Sequence, residues 1–375
     1  MPSSPEAPST VPAPHAQAAP AERAERADIN AAALDGARAV RRTARRRAVG
    51  LALLAVALGA CAAGSLALGA REIPLGTVLE AIAGRLPSDD YDGLVVLTER
   101  VPRLLLGVMV GACLGAAGTV MQAVTRNPLA DPGILGVEAG AASAVVVGIV
   151  VGGVHAPSGY FWFALAGAGV AALAVAFVSR LTTSASPEIS LVIAGSAVAA
   201  LLMSVVTLIT IRDEAVFAKL RSWSVGSLLG RGEVIDELWP FAVLALALAC
   251  TLGRSLDALA LGDELAAGLG VRVGPARIGA VGVGVLLAAV ATAAIGPVAF
   301  VGLVAAHVAR LIVGPEHRWL LPYSMLTGAL MLLAADVAAR LVPGRGELEV
   351  GIMTAVVGTP FFVALARGRK RVSGL

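Results

Sequence analysis

The length of its apolar blocks constrains this chain more than any other feature. After residue 47 the sequence alternates between long runs almost free of charge and short polar connectors. A helix rises about 1.5 Å per residue, so a run of about 20 residues matches the ~30 Å hydrocarbon core of a bilayer. Backbone polar groups in lipid must be satisfied within the chain, and helices do this in blocks of that length. Hydrophobic residues make up 57% of the 375 and charged residues only 15%, too little polar surface to cover a soluble core of that size. The reading is an all-α, polytopic membrane protein.

Candidate spans fall near 48–70, 102–125, 133–153, 160–180, 189–211, 238–255, 277–296, 298–313, 320–341 and 350–367, ten in all. Trp239 and Pro240 blur the start of the sixth. Residues 1–47 open with a Pro/Ala/Ser tract that cannot bury a core and end in an arginine-rich run at 41–47, so they read as a disordered basic extension. The first block is too long for a signal-peptide core and lacks a cleavage site, so it is expected to be an uncleaved span. Residues 48–367 form the transmembrane domain and 368–375 a basic tail.

An even span count returns both termini to one side. Both ends are basic, which predicts that both face the cytoplasm and that the chain is a multi-pass protein of the cytoplasmic membrane. Segments 71–100, 212–237 and 342–349 then lie outside. Residues 126–136, 182–188, 254–276 and 314–319 lie inside. Cys61, Cys113 and Cys250 sit in apolar runs without paired spacing, as small buried side chains do. No His, Cys or carboxylate cluster has metal-ligand spacing, so neither a metal site nor a cofactor is expected.

Two features stand out from the apolar background. Gly107, Gly111, Gly115 and Gly118 form a ridge on the second block, the pattern that lets helix backbones meet in lipid. The stretch RNPLADPGILG at 126–136 interrupts two apolar runs with specified turn chemistry. Pro128 ends the second helix. Arg126 complements the helix end and snorkels to the interface. Asp131 and Pro132 cap and open the third helix, which places Glu138 about two turns in. A corner alone needs fewer specified residues, which suggests a gate or a contact surface.

These residues resemble a known family. The stretch RVPRLLLGVMVGACLGAAGTVMQAVTRNPLADPGILGVEAGA (100–141) is similar to the signature of permease subunits of ABC importers for ferric siderophores, haem and vitamin B12. Matches continue in order with LVIAGSAVAALL (191–202), SWSVGSLLG (222–230), LALGDELAAGLGV (259–271), GPVAFVGLVAAHVARLIVGPEHRWLLP (296–322), ADVAARL (335–341) and VGIMTAVVGTPFFVALAR (350–367). The likeness covers roughly 48–367 and implies ten membrane helices per subunit, working in pairs. Departures are Ala306 before His307 and Glu349 before the last VG, where proline is usual. Glu138 stands where a small hydroxyl residue is usual.

The resemblance implies ATP-driven transport, yet a P-loop needs a lysine after glycine. Lys219 and Lys370 are the only lysines, and neither follows one. The chain is therefore expected to be no enzyme, with hydrolysis in a separate ATP-binding subunit. Leu261, Leu265 and Leu269 repeat at one-turn spacing, Asp263 can cap a short helix, and Gly268 and Gly270 can end it. As a bare pattern this is any amphipathic loop helix; the resemblance implies that it couples to the ATPase. It further implies that Asn127, Pro128, Leu129 and Thr182, Thr183, Ser184 are cytoplasmic gate elements. Arg100, Arg103 and Arg340 would dock a substrate-binding lipoprotein. The implied partners are these two proteins, a second permease subunit and the lipid bilayer; nucleic acid is not among them.

Intramembrane charges are functional candidates. Asp336 and Arg340 can pair on one helix, four residues apart. His307 with Arg310 fits packing and interface anchoring better than metal binding. Glu138 either hydrogen-bonds into the bundle or lines the pathway. A ferric siderophore is the expected cargo, with haem or a corrinoid as alternatives. An ion-coupled secondary transporter is the rival from another class, but it would show broken helices, paired membrane carboxylates and inverted repeats.

Overall fold

The computed structural model describes residues 44–69, 71–154, 156–181, 187–342 and 347–372. The chain divides into two units, 1–51 and 52–375. Of the first, 44–51 are described and are helical. The gate candidates Thr182, Thr183 and Ser184, and most of the N-terminal extension, lie outside the described residues.

The second unit is built from helices, and no strand occurs among the described residues. Helix α1 spans Ala44–Ala67. It is followed by α2 (Leu75–Ile82), α3 (Tyr91–Val95), a π turn (Val96–Arg100) and α4 (Val101–Val124). A 3₁₀ turn (Pro132–Leu135) leads to α5 (Val137–Val150), α6 (Pro157–Leu181), α7 (Pro187–Arg212) and the short α8 (Glu214–Ser224). After a second 3₁₀ turn (Gly232–Val234) come α9 (Ile235–Thr251), α10 (Gly253–Ala260), α11 (Asp263–Gly268) and α12 (Val273–Ile295). The chain closes with α13 (Val301–Val313), α14 (His317–Leu341) and α15 (Val350–Val372).

Seven helices among the described residues are long and apolar enough to cross a membrane, and three shorter apolar ones stand at the third, eighth and tenth candidate blocks. The short ones have a physical reason. Thirteen residues of α13 rise only about 20 Å, and an irregular segment, 296–300, precedes them, with Gly296 and Phe300 both at positive φ. Its backbone is met by protein rather than lipid. Ser227 N donates to Ile295 O at 2.9 Å, and Gly351 N donates to Gly226 O at 3.0 Å. Gly296, at φ 87°, lies so close to Trp223 O that a Cβ would stand 2.1 Å from it.

Helix α4 is the hub, and the glycine ridge makes it so. A Cβ at Gly111 would meet Ala329 Cα at 2.6 Å, and one at Gly115 would meet Ser324 O at 2.0 Å. One at Gly118 would meet Gly302 O at 2.2 Å. The ridge therefore seats α14 and α13 directly on the α4 backbone. A second close approach, Gly140 of α5 against Gly167 of α6, was not singled out in the sequence.

Candidate functional site

The corner after α4 is tighter than its sequence suggests. The helix stops at Val124, and Arg126 takes the left-handed conformation, φ 49°, where glycine is usual. Asn127 Oδ1 accepts from Leu129 N at 3.0 Å, which folds the Asn-Pro step into a compact turn. Asp131 accepts from Gly133 N at 2.8 Å, but it opens the 3₁₀ turn rather than the third helix. Gly136, at φ 71°, breaks the chain again, and α5 starts only at Val137. Glu138 consequently lies in the first turn of α5, not two turns in. Asp131 is outside the spans, and burial pushes its carboxyl above the usual range against the pull of the Gly133 hydrogen bond.

Arg126 is held by protein partners. Its Nε donates to Leu259 O at 2.9 Å and its Nη2 to Asp263 Oδ1. Asp263 also accepts from Arg277 Nη2 at 2.7 Å. The expected capping role of Asp263 is thereby corrected. Gly262, at φ 111°, is the residue before α11, and the Asp263 carboxylate instead bridges two arginines. Arg126 first, then Arg277, holds that carboxyl below its usual range. Gly268 is the last residue of α11, and Gly270, at φ 81°, turns the chain away. Leu261, Leu265 and Leu269 are 58%, 61% and 66% exposed. Leu265 on the short, pinned α11, with Leu261 just before it and Leu269 just after it, forms an exposed apolar knob.

The opposite end of the bundle holds the arginine candidates. Arg103 donates from Nε and Nη2 to Asp336 Oδ1 at 3.0 and 2.8 Å, and from Nη1 to Glu347 Oε2 at 2.6 Å. Arg340 Nη2 pairs with Asp336 Oδ2, as the four-residue spacing suggests. Asp336 is wholly buried. Arg340 Nη1 also donates to Ser65 O at 2.8 Å, and Arg100 Nη1 donates to Leu66 O at 2.5 Å. Arg100 Nη2 reaches Arg71 O. The final carbonyls of α1, which a helix cannot satisfy itself, are thus capped by guanidinium groups from two other helices. All three arginines line a cavity of about 480 Å³. This stitching of α1 was not legible in the sequence.

The His307 ring packs edge-on against Phe361, centroids 5.7 Å apart. Among the described residues no group of three or more His, Cys, Asp and Glu could hold a metal ion.

The model of the FecCD transport family matches residues 53–368. The chain belongs to the FecCD transport family. It is 40% identical over 327 residues to the ferric enterobactin transport system permease protein FepD of Escherichia coli (strain K12), covering 87% of this chain and 97% of the relative. It is 38% identical over 289 residues to the hemin transport system permease protein HmuU of Yersinia pestis, covering 74% of this chain and 85% of the relative. A solved metal-chelate type ABC transporter in an inward-facing conformation is similar in structure, with a TM-score of 0.72 at 27% identity. That likeness covers 84% of this chain and 98% of the other. FecCD proteins are permease subunits of ABC importers, membrane components rather than enzymes, with ATP hydrolysis in a separate subunit.

Proposed function

We propose that this permease carries a ferric siderophore inward across the cytoplasmic membrane, as one of two permease subunits served by an ATPase and a binding lipoprotein. The chain crosses the membrane ten times with both termini in the cytoplasm. The Arg126 junction carries the reading. It ties the corner that would gate the pathway directly to the leucine knob that would receive the ATPase. A push on α11 then moves Asn127, Pro128 and Leu129, and the family resemblance makes Thr182, Thr183 and Ser184 further gate residues. Similarity to an enterobactin permease favours a siderophore over haem or a corrinoid, because that relative matches along nearly its whole length.

On the outer face, the positive charge of Arg100, Arg103 and Arg340 that Asp336 and Glu347 leave unbalanced draws acidic side chains of the binding protein to the cavity that they line. Charge pairs at a docked interface couple by about 1.5–7 kcal/mol, enough to hold a transient partner. The test is reconstitution with the ATPase and binding protein in proteoliposomes, followed by uptake of ferric siderophores, haem and a corrinoid. ATP-driven uptake of a siderophore is expected. Uptake of haem or corrinoid alone would overturn the cargo, and ATP-independent uptake driven by an ion gradient would overturn the mechanism.

A further inference from the structure

A second outer cavity, of about 470 Å³, lies beside α8, the start of α6 and segment 227–231. Tyr160, Lys219, Ser222, Trp223, Arg231 and Glu349 line it. Arg231 is 7% exposed, yet among the described residues it makes one hydrogen bond, a long one of 3.3 Å from Nη1 to Ala294 O. A guanidinium offers five donors in a rigid fork and stays charged. Its remaining donors have no protein acceptor among the described residues, and an acceptor entering the cavity that it lines would satisfy them. Trp223 supplies part of the cavity wall. It is 1% exposed and its Nε1 has no acceptor among the described residues. Glu349 is the one carboxylate on the wall, and no hydrogen bond joins it to Arg231 among the described residues. Fixed donors, an aromatic wall and a volume within the ~300–1,000 Å³ of small-molecule pockets describe a site for an oxyanion.

We propose that this cavity is an anion subsite at the outer mouth of the pathway, taking a carboxylate or phenolate limb of an anionic ferric chelate on the Arg231 fork. Glu349 stands close enough to repel that limb, so it sets how much negative charge the mouth accepts. The inference rests on the importer reading only for the origin of the anion.

The test uses the full-length permease purified with its ATPase in lipid nanodiscs. The probes are an anionic gallium tris-catecholate, an uncharged gallium tris-hydroxamate and metal-free citrate. Wild type is expected to bind the catecholate. Arg231→Gln should weaken that binding about tenfold or more, the scale of a hydrogen bond to a charged group, and leave the hydroxamate unchanged. Arg231→Lys, which keeps the charge and loses the fork, should fall between. Glu349→Gln should tighten the catecholate. Equal losses for both chelates, or no loss in Arg231→Gln, would overturn the proposal. Citrate binding as tightly as the chelate through Arg231 would overturn the chelate as ligand. Lost binding-protein docking with chelate binding intact would reassign the cavity to a protein partner. Failure of the importer reading shows elsewhere, as wild-type proteoliposomes that take up no chelate.

Discussion

Asp336 illustrates what a single residue contributes here. It is wholly buried and receives Arg103 from α4 and Arg340 from its own helix. Removing one member of a buried ionic cluster leaves uncompensated charge, which costs about 3–5 kcal/mol. Asp336→Asn is therefore predicted to lower thermal stability in detergent sharply, whereas Glu347→Gln, on a partner that is 26% exposed, should cost much less. Equal melting temperatures for the two variants would show that Asp336 is not the keystone. The Arg126–Asp263 pair is the opposite case. Asp263 is 48% exposed in its side chain, so the pair contributes only about 0–1 kcal/mol. Arg126→Gln should leave stability nearly unchanged and yet loosen ATP hydrolysis from transport. The pH sign follows from the lowered carboxyl. A depressed folded-state value means that the ion pair is fully present above the ordinary carboxylate value of about 3.9. It is lost only as pH falls through the lowered value, so coupling should not change between pH 5 and 8 through this residue. Loss of coupling in that window, absent in Asp263→Asn, would contradict the assignment. The Asp336–Arg340 pair was legible because helix spacing brings residues four apart together. The pairing of Asp336 with Arg103, 233 residues away, was not, because only tertiary packing creates it.

At the scale of elements, small residues decide which helices touch. The ridge on α4 was legible because its spacing is helical and its function is steric. Gly115→Ala would push a Cβ to 2.0 Å from Ser324 O, a backbone atom that cannot rotate away. Overpacking of this kind costs about 1–3 kcal/mol. Gly279→Ala on α12 meets nothing within 4 Å and should be neutral or slightly stabilising through helix propensity. Comparable melting temperatures for these two would remove the ridge from the account of packing. The start of the third helix was misread because Asp131-Pro132 is a sound helix opening, while left-handed Gly136 resets the chain four residues later. The leucine repeat does not ride on one helix, because Gly262 breaks the chain between Leu261 and Leu265 and only Leu265 lies in α11; nor does Asp263 cap it, since Arg126 and Arg277 draw its carboxylate off. Leu265→Asp puts a charge in the middle of the exposed leucine knob without touching a buried residue. We predict intact insertion and melting temperature, but loss of the ATPase from the purified complex. A complex that keeps both its ATPase and its coupling would move the contact elsewhere.

Across the whole molecule, helix α4 joins the proposed docking end to the proposed coupling end. Helix α4 carries the corner at its C-terminus, and Arg103 in its first turn with Arg100 just before it. Helix α14, seated on its glycines, carries Asp336 and Arg340. A protein docking on the arginines therefore loads the same helix that ends at the gate. Arg100 and Arg340 also hold the end of α1, so charge reversal there would damage the fold and leave docking undecided. Arg100 offers a cleaner separation. It donates to two main-chain carbonyls, on Leu66 and Arg71, which a lysine cannot span with a planar fork. Arg100→Lys should lower the melting temperature yet keep binding-protein affinity within a few-fold, because the charge remains. Arg100→Gln should lower both, and raised salt should weaken docking of the wild type by screening. Both affinities are measured on permease in nanodiscs, below the melting temperature of the weaker variant. If Arg100→Lys and Arg100→Gln dock equally well while melting early, Arg100 serves only to fasten α1, and docking must rest on other groups of the outer face.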